Sequence, residues 1–172
     1  MKQGFTLIEL IVAISIFTLI TLAAVVNFRG NDPSRQIKLQ AANLVSVLRQ
    51  AQVQAQAGEP FNGSLPAGGY GVSISTCAVP PCSITLFADQ NGNFSMESPA
   101  EVVETVSLGD QVTITAVSMS TPAHILFRLP AGGVCFNNTC AGSSPVTVTL
   151  GAKNTSITKL VTINQLSGQI SY

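Results

Sequence analysis

The stretch Gly4-Phe5-Thr6-Leu7-Ile8-Glu9-Leu10 opens an apolar run that continues to Phe28. A leader, residues 1–4, precedes this run and carries one positive charge, that of Lys2. Within the run, Glu9 is the only charged residue. A membrane-spanning helix needs roughly 20 apolar residues, and a carboxylate inside such a helix costs roughly 2.5–3.5 kcal/mol on insertion scales. The run is therefore predicted to span a membrane, and Glu9 to have a function there.

The alternative for this segment is an ordinary secretory signal peptide, which also combines a positive start with an apolar run. The core of a signal peptide has only about 7–15 apolar residues and ends in a small-residue cleavage site. The run here is longer, and Glu9 would lie inside the core. The pattern favours a helix that stays attached to the domain that follows.

The same stretch, at the extreme N-terminus and joined to an apolar helix, resembles the type IV pilin superfamily. That superfamily includes type IV pilins and the pseudopilins of type II secretion. Its prepilin peptidase cleaves after the leader glycine and methylates the new N-terminal residue. The resemblance implies cleavage between Gly4 and Phe5, N-methylation of Phe5, and a role for Glu9 as the assembly glutamate. The methylated amine of Phe5 on a neighbouring subunit is the expected partner of Glu9, and the amine of the same chain is the rival partner.

The resemblance also implies a location and a set of partners. The protein would cross the inner membrane once, with its C-terminal domain outside the cytoplasm, and would then enter a pilus or pseudopilus. The implied partners are prepilin peptidase, membrane lipid before assembly, an inner-membrane assembly platform, and other pilin or pseudopilin subunits through the N-terminal helix. Charge counting alone favours the opposite orientation, because Arg29, Arg35 and Lys38 follow the run and only Lys2 precedes it. The motif and the cysteines argue for export, which we expect.

Residues 31–58 are predicted to form an amphipathic helix. Asp32-Pro33 is typical of an N-cap and a first helical residue, so the chain either kinks near Gly30 or restarts a helix at Pro33. Gly58, with Pro60 close behind, is predicted to end the helix. Apolar residues recur on one face at alternating steps of four and three: Ile37, Ala41, Leu44, Leu48, Ala51 and Ala55.

The hydrophobic period changes to two in residues 59–172, which indicates an antiparallel β domain. Strands are predicted at 70–75, 83–88, 102–108, 112–117, 125–129, 146–150, 160–164 and 169–172. The fold class is therefore α+β, with a long N-terminal helix, transmembrane in its first half and amphipathic in its second, packed on a sheet or sandwich. One sheet face is expected to cover the helix. The predicted order is leader 1–4, transmembrane or assembly helix 5–30, amphipathic helix 31–58 and β domain 59–172.

Four segments of the β domain, 69–72, 84–93, 125–133 and 161–170, resemble GspH/FimT-type minor pseudopilins. With the N-terminal motif, this resemblance covers most of the chain. It implies a minor pilin or pseudopilin, a structural subunit present in few copies near the tip of a type IV pilus or type II secretion pseudopilus. The alternative is a competence-type minor pilin that binds DNA during uptake, which needs a basic patch. After residue 58 the only cations are Arg128, Lys153 and Lys159, against six acids, so DNA is not the expected partner.

The four cysteines form two C-x4-C pairs, Cys77 with Cys82 and Cys135 with Cys140. An even number of cysteines in an exported domain indicates disulfides, and four cysteines allow three connectivities. The local pairing would close small loops at little entropic cost. The alternative is a zinc site, although structural zinc sites usually use closer C-x2-C pairs.

Charge is sparse and unevenly placed. Charged residues make up 9% of the 172 residues, whereas roughly 25% is typical of soluble domains. Four cations lie soon after the apolar run: Arg29, Arg35, Lys38 and Arg49. The stretch 59–110 contains six acids and no Lys or Arg. These are either two solvated faces or complementary docking surfaces of neighbouring subunits.

Two further features could carry chemistry. Asp89, Asn91 and Asn93 present oxygen ligands at every second position, as a calcium loop begins, but the glycine and glutamate that an EF-hand needs at its sixth and twelfth positions are missing. A hairpin turn on Asn91-Gly92 is the alternative. His124 is the only histidine, and no G-x-S-x-G or H-E-x-x-H motif is present. We expect His124 to be structural, and the protein to have no cofactor and no enzymatic activity.

Overall fold

A computed structural model describes residues 6–28, 32–128 and 133–172. The chain divides into two compact units, residues 1–32 and residues 33–172. The predicted processing residues Gly4 and Phe5 lie outside the described residues, as does Arg29.

The first unit contains helix α1, Leu7–Phe28, which is 22 residues long. Between Leu7, which is 76% exposed, and Leu22, which is 66% exposed, its large apolar side chains are exposed. Three hydroxyl side chains of α1 donate to backbone carbonyls one turn earlier: Ser15 to Ile11, Thr18 to Ser15 and Thr21 to Phe17. Across residues 6–28, 32–128 and 133–172, no helix combines the length and the hydropathy needed to cross a membrane.

Helix α2, Pro33–Ala57, opens the second unit. It begins at the proline, as the restart alternative predicted. At its C-terminus Gly58 adopts the left-handed conformation with φ of 60°. The N–H of Gly58 donates to the carbonyl of Ala55, and the N–H of Glu59 donates to that of Gln54. These two bonds form a Schellman motif, so the glycine ends the helix as its sequence position indicated.

Nine strands and a short 3₁₀ helix, Pro99–Glu101, follow among the described residues. The strands are β1 Gly69–Ile74, β2 Ser83–Asp89, β3 Val102–Ser107, β4 Val112–Val117, β5 Ala123–Phe127, β6 Val134–Phe136, β7 Val146–Ala152, β8 Thr158–Ile163 and β9 Ile170–Ser171. They form two antiparallel sheets, one in the order β3-β2-β1-β5-β6 and one in the order β4-β7-β8-β9. The α+β class and the antiparallel domain were therefore predicted correctly.

Helix α2 packs against both sheets, and the expectation that one sheet face would cover it was wrong. All six residues predicted for the packing face are buried, and Val45 and Val47 are buried beside them. At 100° per residue the buried face is about 160° wide. A single sheet needs a narrower stripe, and the two flanking valines supply the extra width.

Three local predictions were also wrong. Strand β6 was not predicted, because three residues beside a cysteine loop give no readable alternation. The chain between β2 and β3 is not a tight hairpin on Asn91-Gly92 but a longer connection, residues 90–101, that ends in the 3₁₀ helix. The strand predicted at 125–129 is β5, which begins at Ala123 and ends at Phe127, so the prediction was wrong for Arg128, and Leu129 lies outside the described residues.

The connection 90–101 covers a second apolar cluster on the outer face of the five-stranded sheet. Phe87, Leu126 and Cys135 are buried there, and Phe94 and Met96 of the connection pack on them. A Cβ on Gly71 would lie 2.7 Å from the Phe87 ring. Glycine is therefore required at this position so that the ring can lie across strand β1.

We predict that Leu48→Ala lowers the free energy of unfolding by about 2–5 kcal/mol, the usual range for a buried leucine. Leu48 is 0% exposed at the centre of the helix face that both sheets contact, so the cavity cannot be filled from solvent. Urea unfolding of the full-length protein in detergent, followed by tyrosine fluorescence, measures this effect. Ser46→Ala on the exposed side of α2 is the control, with an expected change within about 0.5 kcal/mol. Equal unfolding midpoints for the two variants would contradict the two-sided packing.

Candidate functional site

The first turn of α1 is closed by reciprocal hydrogen bonds between Thr6 and Glu9. The Thr6 hydroxyl and the Thr6 N–H both donate to Oε2 of Glu9, at 2.7 Å and 2.9 Å. The N–H of Glu9 in turn donates to the Thr6 hydroxyl oxygen at 3.4 Å. Thr6 is thus the N-cap and Glu9 the third helical residue, the arrangement called a capping box.

This capping box gives the Glu9 carboxylate a partner within its own chain. It satisfies N–H groups that have no partner inside the helix, and it holds a negative charge at the positive end of the helix dipole. Sequence reasoning considered only the amine of Phe5 for this role and missed Thr6. The spacing Thr6-x-x-Glu9 is itself a capping-box signature and could have revealed it.

The surface around Glu9 is apolar. A shallow groove of about 400 Å³ on one side of α1 is lined by Ile8, Glu9, Val12, Ala13 and Ile16. Ile8 and Ile16 are 71% and 53% exposed. The site therefore combines one carboxylate, held at the start of α1, with an apolar face of the same helix.

Residues 1–25 match the family model of the prokaryotic N-terminal methylation motif.

The matched segment contains all three predicted processing and assembly residues, Gly4, Phe5 and Glu9. The match supports a type IV pilin-like prepilin, a substrate of prepilin peptidase that joins other pilin subunits. Comparisons with curated proteins and with solved structures gave no significant match. Gly4 and Phe5 precede the described residues, so the geometry of this prepilin-type site begins at Thr6.

The cysteines of this prepilin-like chain form the two local disulfides that the spacing favoured. Cys77 is bonded to Cys82 and Cys135 to Cys140, with Cα–Cα distances of 5.8 Å and 4.1 Å. Each disulfide lies at a sheet edge. Cys77 pairs with Ile114 of edge strand β4 through two backbone hydrogen bonds of 2.9 Å and 3.0 Å, and Cys135 belongs to edge strand β6.

The oxygen atoms of the calcium candidates are already used by backbone donors. The buried Asp89 carboxylate accepts from the N–H groups of Gly92, Asn93 and Phe94. The side-chain oxygen of Asn91 accepts from Asn93, and that of Asn93 accepts from Ser95. The part of the chain that the structure describes contains no group of three or more His, Cys, Asp or Glu residues that could hold a metal ion. These side chains shape the connection after β2.

His124 lies beside the outer-face cluster and is 8% exposed. Its ring meets Phe87 edge-on, with the centroids 5.8 Å apart. Among the described residues, no group forms a hydrogen bond with its buried Nδ1. Burial lowers the pKa of His124, because a protonated ring would place an unpaired N–H in an apolar environment.

We predict that acid destabilises the fold through His124. The unfolded chain takes up a proton at the ordinary histidine pKa of about 6.5, whereas the folded chain does so only at a lower pH. The free energy of unfolding should therefore fall as the pH drops below about 6.5, until the folded-state pKa is passed. Urea unfolding between about pH 7.5 and about pH 5 should show a larger loss for wild type than for His124→Phe, which cannot titrate.

The variant also serves as the control for the carboxylates, since both proteins contain the same Asp and Glu residues. An NMR titration of the histidine ring in the wild-type protein should give a midpoint below the ordinary pKa of about 6.5. A midpoint at or above that value, or identical pH profiles for the two proteins, would refute the assignment.

Proposed function

We propose that this chain is a pilin-like structural subunit that prepilin peptidase processes and that assembles through α1 into a type IV pilus or a type II secretion pseudopilus. The observation that carries this proposal is the methylation motif at residues 1–25, joined to an apolar helix whose first turn contains Glu9. The proposed role is structural and requires no catalytic site.

We also propose that α1 anchors the subunit in the inner membrane before assembly. The support for this anchor is the motif and the apolar run that the sequence continues to Phe28, since the described residues alone do not form a helix with the length and hydropathy of a membrane span. The exposed apolar side chains of α1 and its self-bonded hydroxyl groups suit lipid contact. The two disulfides support an exported domain.

The finer assignment is a minor subunit of the GspH/FimT type. It is supported by the resemblance of four β-domain segments, of which the first, residues 69–72, lies in β1 and the second, residues 84–93, lies in β2 and the connection that follows. The competence alternative has no specific observation in its favour. Arg128 lies 5.7 Å from the Phe94 ring and Lys159 lies 5.7 Å from the Tyr172 ring, on different parts of the domain, so these cations do not make a DNA-binding patch.

In the proposed assembly, Glu9 has two successive partners. In the free subunit Thr6 holds its carboxylate. In the filament, the methylated amine of Phe5 on a neighbouring subunit would supply the opposite charge that an apolar environment demands. Because Thr6 follows the cleavage point, its N–H remains a backbone amide after processing, and the capping box persists in the mature chain.

We predict that Gly4→Val blocks processing, because a larger side chain hinders the peptidase at the bond that follows it. The variant should accumulate in the membrane with residues 1–4 attached. Mass spectrometry of the wild-type protein should find a mature chain that begins at N-methylated Phe5. Gln3→Ala, which leaves the glycine in place, should be processed normally. A wild-type N-terminus after residue 20 would instead indicate a signal peptide.

We predict that assembly needs the charge of Glu9 more than its capping role. Glu9→Gln can still form the capping box but has no charge, and it should fail to enter the filament, as should Glu9→Leu. Thr6→Ala keeps the charge and loses the cap, which costs about 1 kcal/mol of helix stability, and it should still assemble. The measurement is the amount of each variant in sheared filament fractions.

All three variants should insert in the membrane and form both disulfides, which shows that the β domain is intact. If Glu9→Gln assembles at the wild-type level while Thr6→Ala does not, the capping box and not the charge is the functional feature. If Glu9→Leu also assembles normally, Glu9 is not the docking residue.

A further inference from the structure

The outward side of α2 carries cations and no acids. Arg35, Lys38 and Arg49 are exposed. Leu39, which lies between Lys38 and Arg49, is 54% exposed, and Val53, which follows Arg49, is 62% exposed. No Asp or Glu occurs within Pro33–Ala57. We call these five residues the basic face.

Helix geometry places the basic face away from the core. At 100° per residue its members fall within an arc about 100° wide, on the side opposite the buried stripe that contacts the sheets. From Arg35 to Val53 the face is about 27 Å long at 1.5 Å per residue. Because the other side of α2 is committed to the two sheets, this face is free to contact another molecule.

A complementary surface lies along strand β3. Glu97 in the connection before β3, Glu104 within β3 and Asp110 in the turn after it are all exposed. β3 is an edge strand of the five-stranded sheet, and no Lys or Arg occurs anywhere in residues 59–110. We call these three carboxylates the acidic edge.

Two of the other three acids in residues 59–110 are not available to a partner, and the third, Glu59, is exposed in the segment that follows α2. Asp89 is 0% exposed and accepts three backbone N–H groups. Glu101 is 4% exposed and accepts the N–H of Glu97. The acids that remain at the surface beside β3 therefore match the three cations of α2 in number.

We propose that the basic face of α2 docks against the acidic edge of a second copy of this chain. This inference rests on the proposed function, since it concerns contacts within the assembly. Arginine forms bidentate pairs with carboxylates, and Leu39 and Val53 would be covered by the same contact. Single exposed ion pairs contribute only about 0–1 kcal/mol, so the six charges set the register between subunits and α1 provides most of the adhesion.

The symmetry of this contact favours a second copy as the occupant. The basic face and the acidic edge are different surfaces of one chain, so the contact is head-to-tail. A head-to-tail contact that does not close into a ring generates an open helical filament, the architecture of the proposed assembly. The proposal therefore requires at least two adjacent copies of this chain in the filament, a number that a subunit present in few copies can supply.

Charge reversal with rescue tests the proposal in the full chain, expressed in its native host without the wild-type copy. One variant reverses the basic face, Arg35→Glu, Lys38→Glu and Arg49→Glu. A second reverses the acidic edge, Glu97→Lys, Glu104→Lys and Asp110→Lys. A third combines all six changes. Each triple variant should lower the subunit in sheared filaments about tenfold, the effect of about 1.4 kcal/mol, and the sixfold variant should recover most of the loss.

The matched control reverses three cations elsewhere, Arg128→Glu, Lys153→Glu and Lys159→Glu, and should assemble normally. Unchanged assembly of both triple variants would mean that the basic face and the acidic edge contact solvent and not a second copy. Loss in the triple variants without recovery in the sixfold variant would mean that the partner is another subunit or an anionic membrane surface. Either result overturns the proposal.

The mature N-terminus is measured in the same samples. If the wild-type chain is neither cleaved before Phe5 nor found in filaments, the proposed function itself fails. If the wild-type chain is processed and assembled while the sixfold variant gives no recovery, only the head-to-tail contact fails. Formation of both disulfides in every variant verifies that the loss is not due to unfolding.

Discussion

The second unit depends on the burial of α2 between two sheets. The helix contacts β1, β2 and β5 of one sheet and β4, β7, β8 and β9 of the other, and its buried residues join both sets of inward-facing side chains in one cluster. Each sheet alone would leave an apolar face in water. The small residues Ala41, Ala51 and Ala55, all 0% exposed, let the helix backbone approach the strands closely.

This arrangement commits one side of α2 to stability and leaves the other side for association. In α1 the division is different, because the Glu9 carboxylate that closes the helix start with Thr6 is also the proposed docking charge, and only the apolar surface beyond it has no role in the cap. In α2 the side chains that hold the domain together and those exposed to neighbours are different residues. Substitutions can therefore disturb assembly and leave the folded domain intact.

Much of this architecture was readable from the sequence. Apolar spacing and turn residues predicted the periodicity of α2, one of the two alternatives for its start (Pro33), its end at Gly58 and eight of the strands.

The width of the buried face of α2 could not be predicted, because Val45 and Val47 lie outside a narrow helical stripe and only a second sheet explains their burial. Strand β6 was missed because it has only three residues and is defined by its pairing with β5. The connection 90–101 was missed because the Asp89 carboxylate accepts from several N–H groups of the connection, and the sequence pattern of Asn91-Gly92 did not reveal these bonds. The Thr6–Glu9 pair was readable as a capping signature but was overlooked in favour of charge. That the buried Nδ1 of His124 has no hydrogen-bond partner among the described residues could be found only from the fold.

The edges of the two sheets bear on how such a chain avoids aggregation. An open strand edge is a template for pairing with any other strand, a particular hazard for a protein that is proposed to be concentrated in a polymer. Each of the four edges formed by the described strands has a feature that opposes such pairing. Cys77 is hydrogen-bonded to β4, and the Cys135–Cys140 loop closes beside β6. Strand β9 has only two residues, and β3 carries Glu104. The two disulfides thus protect solubility as well as the fold, and in reducing conditions the β4 and β6 edges would be the first places where copies join in the wrong way.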